Sequence, residues 1–539
     1  MKFIKKIKGI VIVAILLATF LPAVSYADNV GEKRDFYVDP SFDLSKRNSV
    51  NAVLLKVTNK AYFYGDLSWW NFVPQNDISA ALGALGEEFD NKIYPALTSD
   101  YGSEWTPGID GNARITVLIH PMAKDAGGYF RSNDEYSKLQ VPGSNEREMV
   151  YINSANITGS NAKSFLAHEF THLITFNQKD KIYGLEEETW LNEARAEYSS
   201  TLLGYDSTYE GSYLENRVLS FSDEPFNSIT EWDGNRSDYG AINLFAQYLV
   251  DHYGKAMLVD SLKNPKVGID SINAALAKGG SQKTFSQIFT DWTIALFVND
   301  CSLGANYCYV NKNLKDLHIY PKINFLPLSG QSTLSVTDNT KAWAGNWFKV
   351  IGGQGNIKLN FVSNSGTPFV LPYLVQRGNG SYALAFLSLD SRQSGEINVS
   401  NFGTDNTALV IIPSVQNKLS NFEEGQQPSY SFTFTVSTSG TNPLPPINDG
   451  VPAGFSFQKS LSSGVYSQDV VYLKILLARE GCLSGVANTS YFASKTLAAV
   501  KCLQNRYRQA ISIWAGYQIS ATGFVGAGTR MQLNALLGK

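Results

Sequence analysis

The chain of 539 residues has few cysteines and histidines, four and five respectively, and neither sign of charge dominates, since the formal net charge is only -3. No two cysteines have CxxC spacing and no histidines cluster with them, so a structural zinc site is not predicted. A basic surface for nucleic acid is also excluded. Apart from about a dozen apolar residues near the start, no stretch approaches the length of a membrane span. Because 44% of the residues are hydrophobic, we expect folded domains.

The start of the chain has the pattern of a secretory signal peptide, which is a basic segment, an apolar segment and a small-x-small cleavage site. Its parts are Lys2 to Lys8, Ile10 to Leu21 and Ser25-Tyr26-Ala27. We expect cleavage after Ala27 and a secreted protein, extracellular or associated with the cell wall, that has no membrane contact after signal removal. A retained anchor is the alternative, but the apolar segment is short for a span.

The four cysteines form two local pairs, Cys301 with Cys308 and Cys482 with Cys502. Exported proteins fold in an oxidising setting, where neighbouring cysteines commonly form disulfides. We therefore predict two disulfide bonds.

The motif with the clearest chemistry is His168-Glu169-Phe170-Thr171-His172, an HExxH sequence in an apolar helical pattern. At about 3.6 residues per turn, the two histidines lie only ~40° apart around the axis, so both imidazoles can bind one ion. This spacing is typical of zinc peptidases, in which the glutamate is the general base. We predict one catalytic Zn2+ bound by His168 and His172, with Glu169 as base. The alternative is a pair of surface histidines on an ordinary amphipathic helix.

A third ligand is predicted in the segment WLNEARAEY, from Trp190 to Tyr198. Asn192 is a good N-cap for a second helix, which places Glu193 near its start. The loop before this helix is long enough to return it to the first, completing a site of two histidines and one glutamate. Glu197, one turn further on, is predicted to orient a ligating imidazole. Either glutamate alone is more typical of a solvated helix charge.

HEFTH followed by WLNEARAEY resembles the thermolysin-like gluzincins and, in detail, the hyicolysin-type neutral metallopeptidases of bacteria. The resemblance extends from about Ala52 to Gly254 and includes SNEREMVYIN before the motif. It implies that His168, His172 and Glu193 bind zinc and that Glu169 is the base. It also implies that Glu197 contacts the ligands without binding the metal itself. The common family form has glycine after the ligand glutamate, where this chain has Ala194, a change that a helix tolerates.

The resemblance also implies a substrate-binding strand and an oxyanion-stabilising residue. Strands are predicted at Arg114 to His120 and Met149 to Asn153, with a short extended piece at Gly127 to Phe130. Gluzincins pair an edge strand with the substrate backbone, which makes Gly128 and Tyr129 the candidates, with a plain hairpin as the alternative. Gluzincins also use a Tyr or His beyond the third ligand, and Tyr239 is the candidate. We predict that the remaining histidines are core or surface residues: His120, His252 and His318.

The composition changes after about residue 323. Alternating segments such as IKLNFV, TALVIIP and SYSFTFTVS predict a β-sandwich over 324–439, which we expect to be a spacer or exosite. A Pro-rich linker is predicted over 440–452.

The last segment, 453–539, is predicted to be a separate domain with three helices, at 467–477, 494–507 and 527–537. It resembles the three-helix peptidoglycan-binding module, which implies that its ligand is cell-wall glycan with stem peptide, and Cys482 with Cys502 would join its first two helices. The alternative is a helical domain that regulates the enzyme. The residues that carry the resemblance are Gly464, Asp469-Val470, Leu473, Tyr491-Phe492, Thr496, Ala499-Val500, Gln504 and Gly523 to Arg530.

Together these features predict a multidomain α+β protein with a metallopeptidase domain over 28–323, a mixed sheet lobe and a helical lobe. We expect an exported monomeric zinc endopeptidase that acts on protein or peptide and is targeted to the wall. One alternative is a hydrolase of cross-linking wall peptides, and another is a catalytically silent wall-binding or adhesive protein. A calcium ion is possible but unsupported, because the scattered Asp and Asn residues show no EF-hand loop.

Overall fold

The structure is a computed structural model that describes residues 28–123, 126–327, 330–417, 427–438, 450–452, 454–484 and 489–537. The predicted signal peptide and all but the end of the predicted linker lie outside these residues. The chain divides into two compact units. The first contains the described residues up to Glu187 with Ser199–Ser207 and Leu262–Pro265, and the second contains Glu188–Tyr198, Thr208–Ser261 and the described residues from Lys266 onward.

The first unit contains a six-stranded mixed sheet of spatial order β1-β2-β3-β4-β6-β5. Strands β3, β4 and β6 are parallel, and the outer pairs are antiparallel. Every residue of these three central strands is buried, as their nearly continuous apolar sequences require. The strands are β1 (Lys33–Tyr37), β2 (Ser49–Val57), β3 (Ala61–Asp66), β4 (Ile115–His120), β5 (Gly128–Phe130) and β6 (Met149–Asn153).

Helix α4 carries the HExxH motif and packs against β5 and β6. Twelve of its fourteen residues are buried, which explains why its sequence is apolar on nearly all sides. A π-helical segment, Phe176–Lys181, follows it directly. The helices of this part are α1 (Leu67–Trp70), α2 (Gln75–Glu88), α3 (Tyr94–Tyr101) and α4 (Ala162–Thr175).

The second unit begins with helices. Two of them start with capping boxes, in which the N-cap side chain and the third helical residue satisfy each other's backbone groups: Asn235 with Asp238, and Thr284 with Gln287. These caps fix where α7 and α10 begin. The helices are α5 (Thr189–Leu202), α6 (Tyr213–Asp223), α7 (Arg236–Tyr253), α8 (Ala256–Leu262), α9 (Gly268–Lys278) and α10 (Phe285–Val298), and the last residues of α5 and of α8 belong to the first unit.

The next part of the second unit is all-β. Nine of its strands form two halves, one with the spatial order β8-β17-β10-β14 and the other with the order β13-β12-β15-β9-β7. A single parallel pairing, Phe402 with Asn406, joins the two halves. Phe348 of β9 contacts Phe432 and Phe434 of β17, so the halves pack as two layers. The strands are β7 (Lys322–Leu326), β8 (Ser332–Thr340), β9 (Phe348–Gly352), β10 (Gly355–Ser363), β11 (Phe369–Val370), β12 (Pro372–Arg377), β13 (Tyr382–Phe386), β14 (Ser394–Phe402), β15 (Asn406–Ile411), β16 (Ser414–Val415) and β17 (Tyr430–Thr438).

The C-terminal part is helical around a small apolar core that includes Leu473, Val500 and Leu533. Its described residues form four helices where three were expected: α11 (Gln468–Arg479), α12 (Ser494–Arg506), α13 (Arg508–Ala515) and α14 (Ala527–Leu536). The additional helix, α13, buries only Ala510 and Ile511. So short an apolar pattern does not distinguish a helix from a loop in the sequence.

Both predicted disulfides are confirmed, Cys301 with Cys308 and Cys482 with Cys502. The second bond joins the segment after α11 to α12. Among the residues that the structure describes, no helix combines the length and the apolar character needed to cross a bilayer.

Candidate metal centre

Helix α4 directs both histidines of the motif to the same point. The Nε2 atoms of His168 and His172 lie 3.1 Å apart, and both residues are buried. A tetrahedral zinc ion with Zn–N bonds of about 2.0–2.1 Å needs ligand nitrogens roughly 3.3 Å apart. The spacing in α4 therefore fits two nitrogens of one zinc site.

Glu193 of α5 completes a group of three. The ligand atoms of His168, His172 and Glu193 all lie within 4.8 Å of one another. Over the described parts of the chain, this is the one cluster of three or more His, Cys, Asp or Glu residues with such spacing. Two imidazole nitrogens and one carboxylate oxygen form a donor set that zinc accepts in catalytic sites.

Glu169 is buried against strand β5. A Cβ built on Gly128 would lie 2.9 Å from Glu169 Cγ and 2.5 Å from the Tyr151 carbonyl oxygen. A Cβ on Gly127 would lie 2.3 Å from the ring of Phe165. The strand approaches α4 this closely because both positions lack a side chain.

Strand β5 is the last strand in the order of its sheet within the described residues. It pairs antiparallel with β6, placing Tyr129 opposite Tyr151, and the N–H of Asn153 donates to the Gly127 carbonyl at 3.0 Å. In antiparallel pairing, alternate residues turn their backbone groups to opposite sides of the strand. The N–H and C=O of Gly128 and Phe130 therefore point away from β6, whereas those of Tyr129 point toward it.

Glu197 lies at the centre of a buried polar network in the second unit. Its carboxylate accepts hydrogen bonds from Arg217 Nε and Nη2, both at 2.7 Å, from Tyr213 Oη at 2.6 Å and from Asn243 Nδ2 at 3.2 Å. Glu197 is fully buried. Burial acts to lower the pKa of Arg217, but the charges of Glu197 and Tyr213 outweigh it and raise this pKa. The predicted role of Glu197 toward an imidazole stays a prediction.

Tyr239 belongs to the same network through its ring. The guanidinium carbon of Arg217 lies 4.8 Å from the ring centroid, and Trp232 packs edge-on at 4.8 Å. Arg217 thus fixes both Glu197 and Tyr239 by direct contact. The role of Tyr239 as oxyanion donor also stays a prediction.

The three remaining histidines lie at different places. His120 is buried, with Nδ1 3.2 Å from Asp43 Oδ2 and Nε2 3.2 Å from Tyr129 Oη. Burial lowers the pKa of His120 despite the adjacent Asp43. His252 Nε2 contacts the Cys308 carbonyl at 2.9 Å, and His318 Nδ1 lies 3.4 Å from the Phe297 carbonyl.

Sequence reasoning missed Arg217 with its partners. It placed His120 in the core or at the surface, but it missed the contacts of His120 with Asp43 and Tyr129. Arg217 pairs with a carboxylate 20 positions away, and His120 with one 77 positions away. No local spacing reports such contacts. For His120 the sequence offered one sign of a buried polar partner, namely a polar residue at the end of the otherwise apolar strand ITVLIH.

No family model matches the chain. The chain is 27% identical over 241 residues to the neutral metalloprotease ShpI of Staphylococcus hyicus, covering 39% of this chain and 52% of that protein. It therefore spans about half the length of the curated relative it matches.

Two solved structures give partial matches, each at 11% identity over 22% of this chain. One is the pre-peptidase C-terminal domain of a collagenase from Bacillus anthracis, of which 96% is covered at a TM-score of 0.14. The other is PliG, a periplasmic inhibitor of g-type lysozyme from Aeromonas hydrophila, of which 98% is covered at a TM-score of 0.15. Scores this low carry no argument.

Proposed function

We propose that this protein is an exported zinc-dependent endopeptidase. The observation that carries the proposal is the convergence of His168, His172 and Glu193, whose ligand atoms lie within 4.8 Å of one another. The partial similarity to a neutral metalloprotease supports the same activity.

In this proposal each residue of the centre has its own task. His168, His172 and Glu193 hold the zinc ion, which polarises the scissile carbonyl and increases the acidity of water when it is bound. Glu169 accepts a proton from the attacking water and transfers it to the leaving amine. Its burial beside strand β5 keeps this carboxylate within reach of a substrate on that strand.

Strand β5 holds the substrate in extended form. The outward-facing backbone groups of Gly128 and Phe130 pair with the peptide by β-addition. Tyr239, fixed by Arg217, donates to the oxygen that gains charge as water attacks the carbonyl.

The C-terminal domain binds cell-wall peptidoglycan and keeps the enzyme at the wall. The exposed pair of Tyr466 and Tyr491, with ring centroids 4.5 Å apart, offers aromatic surface for such a ligand. Pull-down of the intact chain with purified peptidoglycan, compared with a Tyr466→Ala and Tyr491→Ala double variant, tests this part separately.

The activity is tested with the mature chain, beginning at Asp28, on casein and on purified cell wall. We expect zinc near one equivalent, cleavage of casein, loss of cleavage with a chelator and its return with zinc. Release of wall peptides without casein cleavage would instead identify a wall peptide hydrolase. A folded protein that contains zinc and cleaves neither substrate would contradict the proposal.

A further inference from the structure

A stack of three aromatic rings crosses the edge of the sheet in the first unit. The rings of Tyr151 on β6 and Tyr129 on β5 are stacked, with centroids 4.2 Å apart and planes 9° apart. Phe42 stacks on the outer side of Tyr129, with centroids 4.6 Å apart and planes 17° apart. Tyr151 and Tyr129 are buried, whereas Phe42 is 37% exposed. The stack therefore ends at the surface with Phe42.

The spacing in this stack matches the spacing of strands in a sheet, which is about 4.7–4.9 Å. Phe42 does not come from a strand beside β5, yet its ring lies one strand spacing beyond Tyr129. It therefore lies where the side chain of a residue on an added strand would lie, opposite Tyr129. Since Gly128 faces Glu169 and successive residues alternate, this position is on the sheet face away from α4.

The added residue would be especially close to Tyr129. We take the added strand to be antiparallel to β5. Because the backbone groups of Tyr129 point toward β6, its partner on such a strand forms a non-hydrogen-bonded pair, in which the Cα atoms are only about 4.5 Å apart. A large side chain there would meet the ring of Phe42. Glycine has no such side chain, and those of alanine and serine are short.

Phe42 is held firmly in this place. Its N–H donates to the Asp39 carbonyl at 3.1 Å, and its carbonyl accepts from the Ala123 N–H at 2.9 Å. The next residue, Asp43, is bound by Arg47 at 2.7 Å and by His120. These contacts fix the backbone at Phe42, and stacking on Tyr129 holds its ring.

We propose that Phe42 determines specificity by restricting the substrate residue that pairs opposite Tyr129 to glycine, alanine or serine. This inference rests on the proposed peptidase function and on substrate pairing along β5. It adds a substrate class to that function, namely extended peptides with a small residue at one fixed position near the cleaved bond.

The test uses internally quenched peptides built on a casein sequence that the wild type cleaves, with Gly, Ala, Ser, Leu or Phe placed at each position around the bond. We expect one position where Leu and Phe lower kcat/KM at least about tenfold relative to Gly. Phe42→Ala should abolish the preference for small residues at that position and leave the preferences at the other substrate positions unchanged. Phe42→Leu, which retains an apolar contact with Tyr129, should only weaken the preference for small residues. Phe72→Ala removes an aromatic ring that is 88% exposed and should keep the wild-type profile.

The outcomes separate this inference from the proposed function. If the wild type cleaves casein but shows no position that favours small residues, or if both Phe42 variants keep the wild-type profile, the specificity inference is overturned and the peptidase function stands. If the zinc-loaded wild type cleaves no peptide, both are overturned. Equal zinc content and equal thermal midpoints among the variants verify that they are folded.

Discussion

Gly128 lies so close to Glu169 that no side chain fits between them: a Cβ on Gly128 would lie 2.9 Å from Glu169 Cγ and 3.0 Å from its Oε1. The base of the proposed reaction is therefore held by the strand that we propose binds the substrate.

Gly128→Ala should reduce kcat/KM at least about tenfold, because a misplacement of about 1 Å at a reacting group can cost more than that. Zinc content should stay unchanged, since the atoms nearest to the added Cβ belong to Tyr151 and Glu169 and not to a proposed ligand. The matched control is Gly83→Ala in helix α2, where an added Cβ would meet nothing within 4 Å. This control should be active and more stable by about 0.5–1 kcal/mol. Equal activity of the two variants would refute the role of the close contact.

Arg217→Met should destabilise the second unit by about 3–5 kcal/mol, because it removes the bidentate partner of a fully buried carboxylate. Urea unfolding measures the change. Adding Glu197→Gln to this variant should recover part of the loss, since the two side chains interact directly. Strictly additive effects of the two substitutions on the free energy of unfolding would show that the side chains of Arg217 and Glu197 do not stabilise each other.

The stability of the first unit should depend on pH through Glu135 and Glu148. Both are buried. Burial raises the pKa of both carboxyls, and the charge of Glu148 raises that of Glu135 further. From the ordinary glutamate pKa of about 4.3 up to the raised values, the folded chain holds protons that the unfolded chain has released. The stability contributed by these two carboxyls is therefore fully present below this window, and it falls by about 1.4 kcal/mol per pH unit for each group as pH rises through it.

Glu148→Gln should make the fall in the stability of the first unit with rising pH less steep, because the substituted side chain does not titrate. Urea midpoints at half-unit intervals between pH 5 and pH 8 measure it. Glu87→Gln, at an exposed position on α2, is the control and should keep the wild-type slope. A Glu148→Gln protein with the wild-type slope would show that this carboxyl does not hold the proton.

Replacing Cys482 and Cys502 with serine should destabilise the C-terminal domain by about 3 kcal/mol, as expected for a loop of this length. Casein cleavage should be unaffected, because the proposed centre is on α4 and α5. Thermal unfolding followed with and without a reductant gives the shift. Loss of casein cleavage in this variant would indicate that the C-terminal domain supports catalysis directly.

The parts of the site that the sequence predicts are those set by local geometry. The spacing of His168 and His172 follows from the helical repeat, so their convergence is expected before any tertiary contact is known. Strands β4 and β6 are similarly predictable, because buried parallel strands have continuous apolar sequences. Glu193 required more, namely the resemblance to a known family. The predicted N-cap was wrong, because α5 begins at Thr189 and Asn192 is its fourth residue.

The parts that the sequence does not predict depend on distant contacts. Arg217 has no local pattern that assigns it to Glu197, and Phe42 lies far along the chain from Tyr129. Their placement is decided by packing of the whole fold. Helix α13 was missed for another reason, since its eight residues are too few for a clear helical period.

The measurement that tests the central claim most directly is the zinc content and casein activity of the mature wild type beside two isosteric variants, Glu193→Gln and Glu169→Gln. We predict about one zinc per chain in the wild type and in Glu169→Gln, with activity lower by about 10²–10⁴-fold in the latter. Glu193→Gln should lose both zinc and activity. Full zinc content in Glu193→Gln, or undiminished activity in Glu169→Gln, would contradict the account.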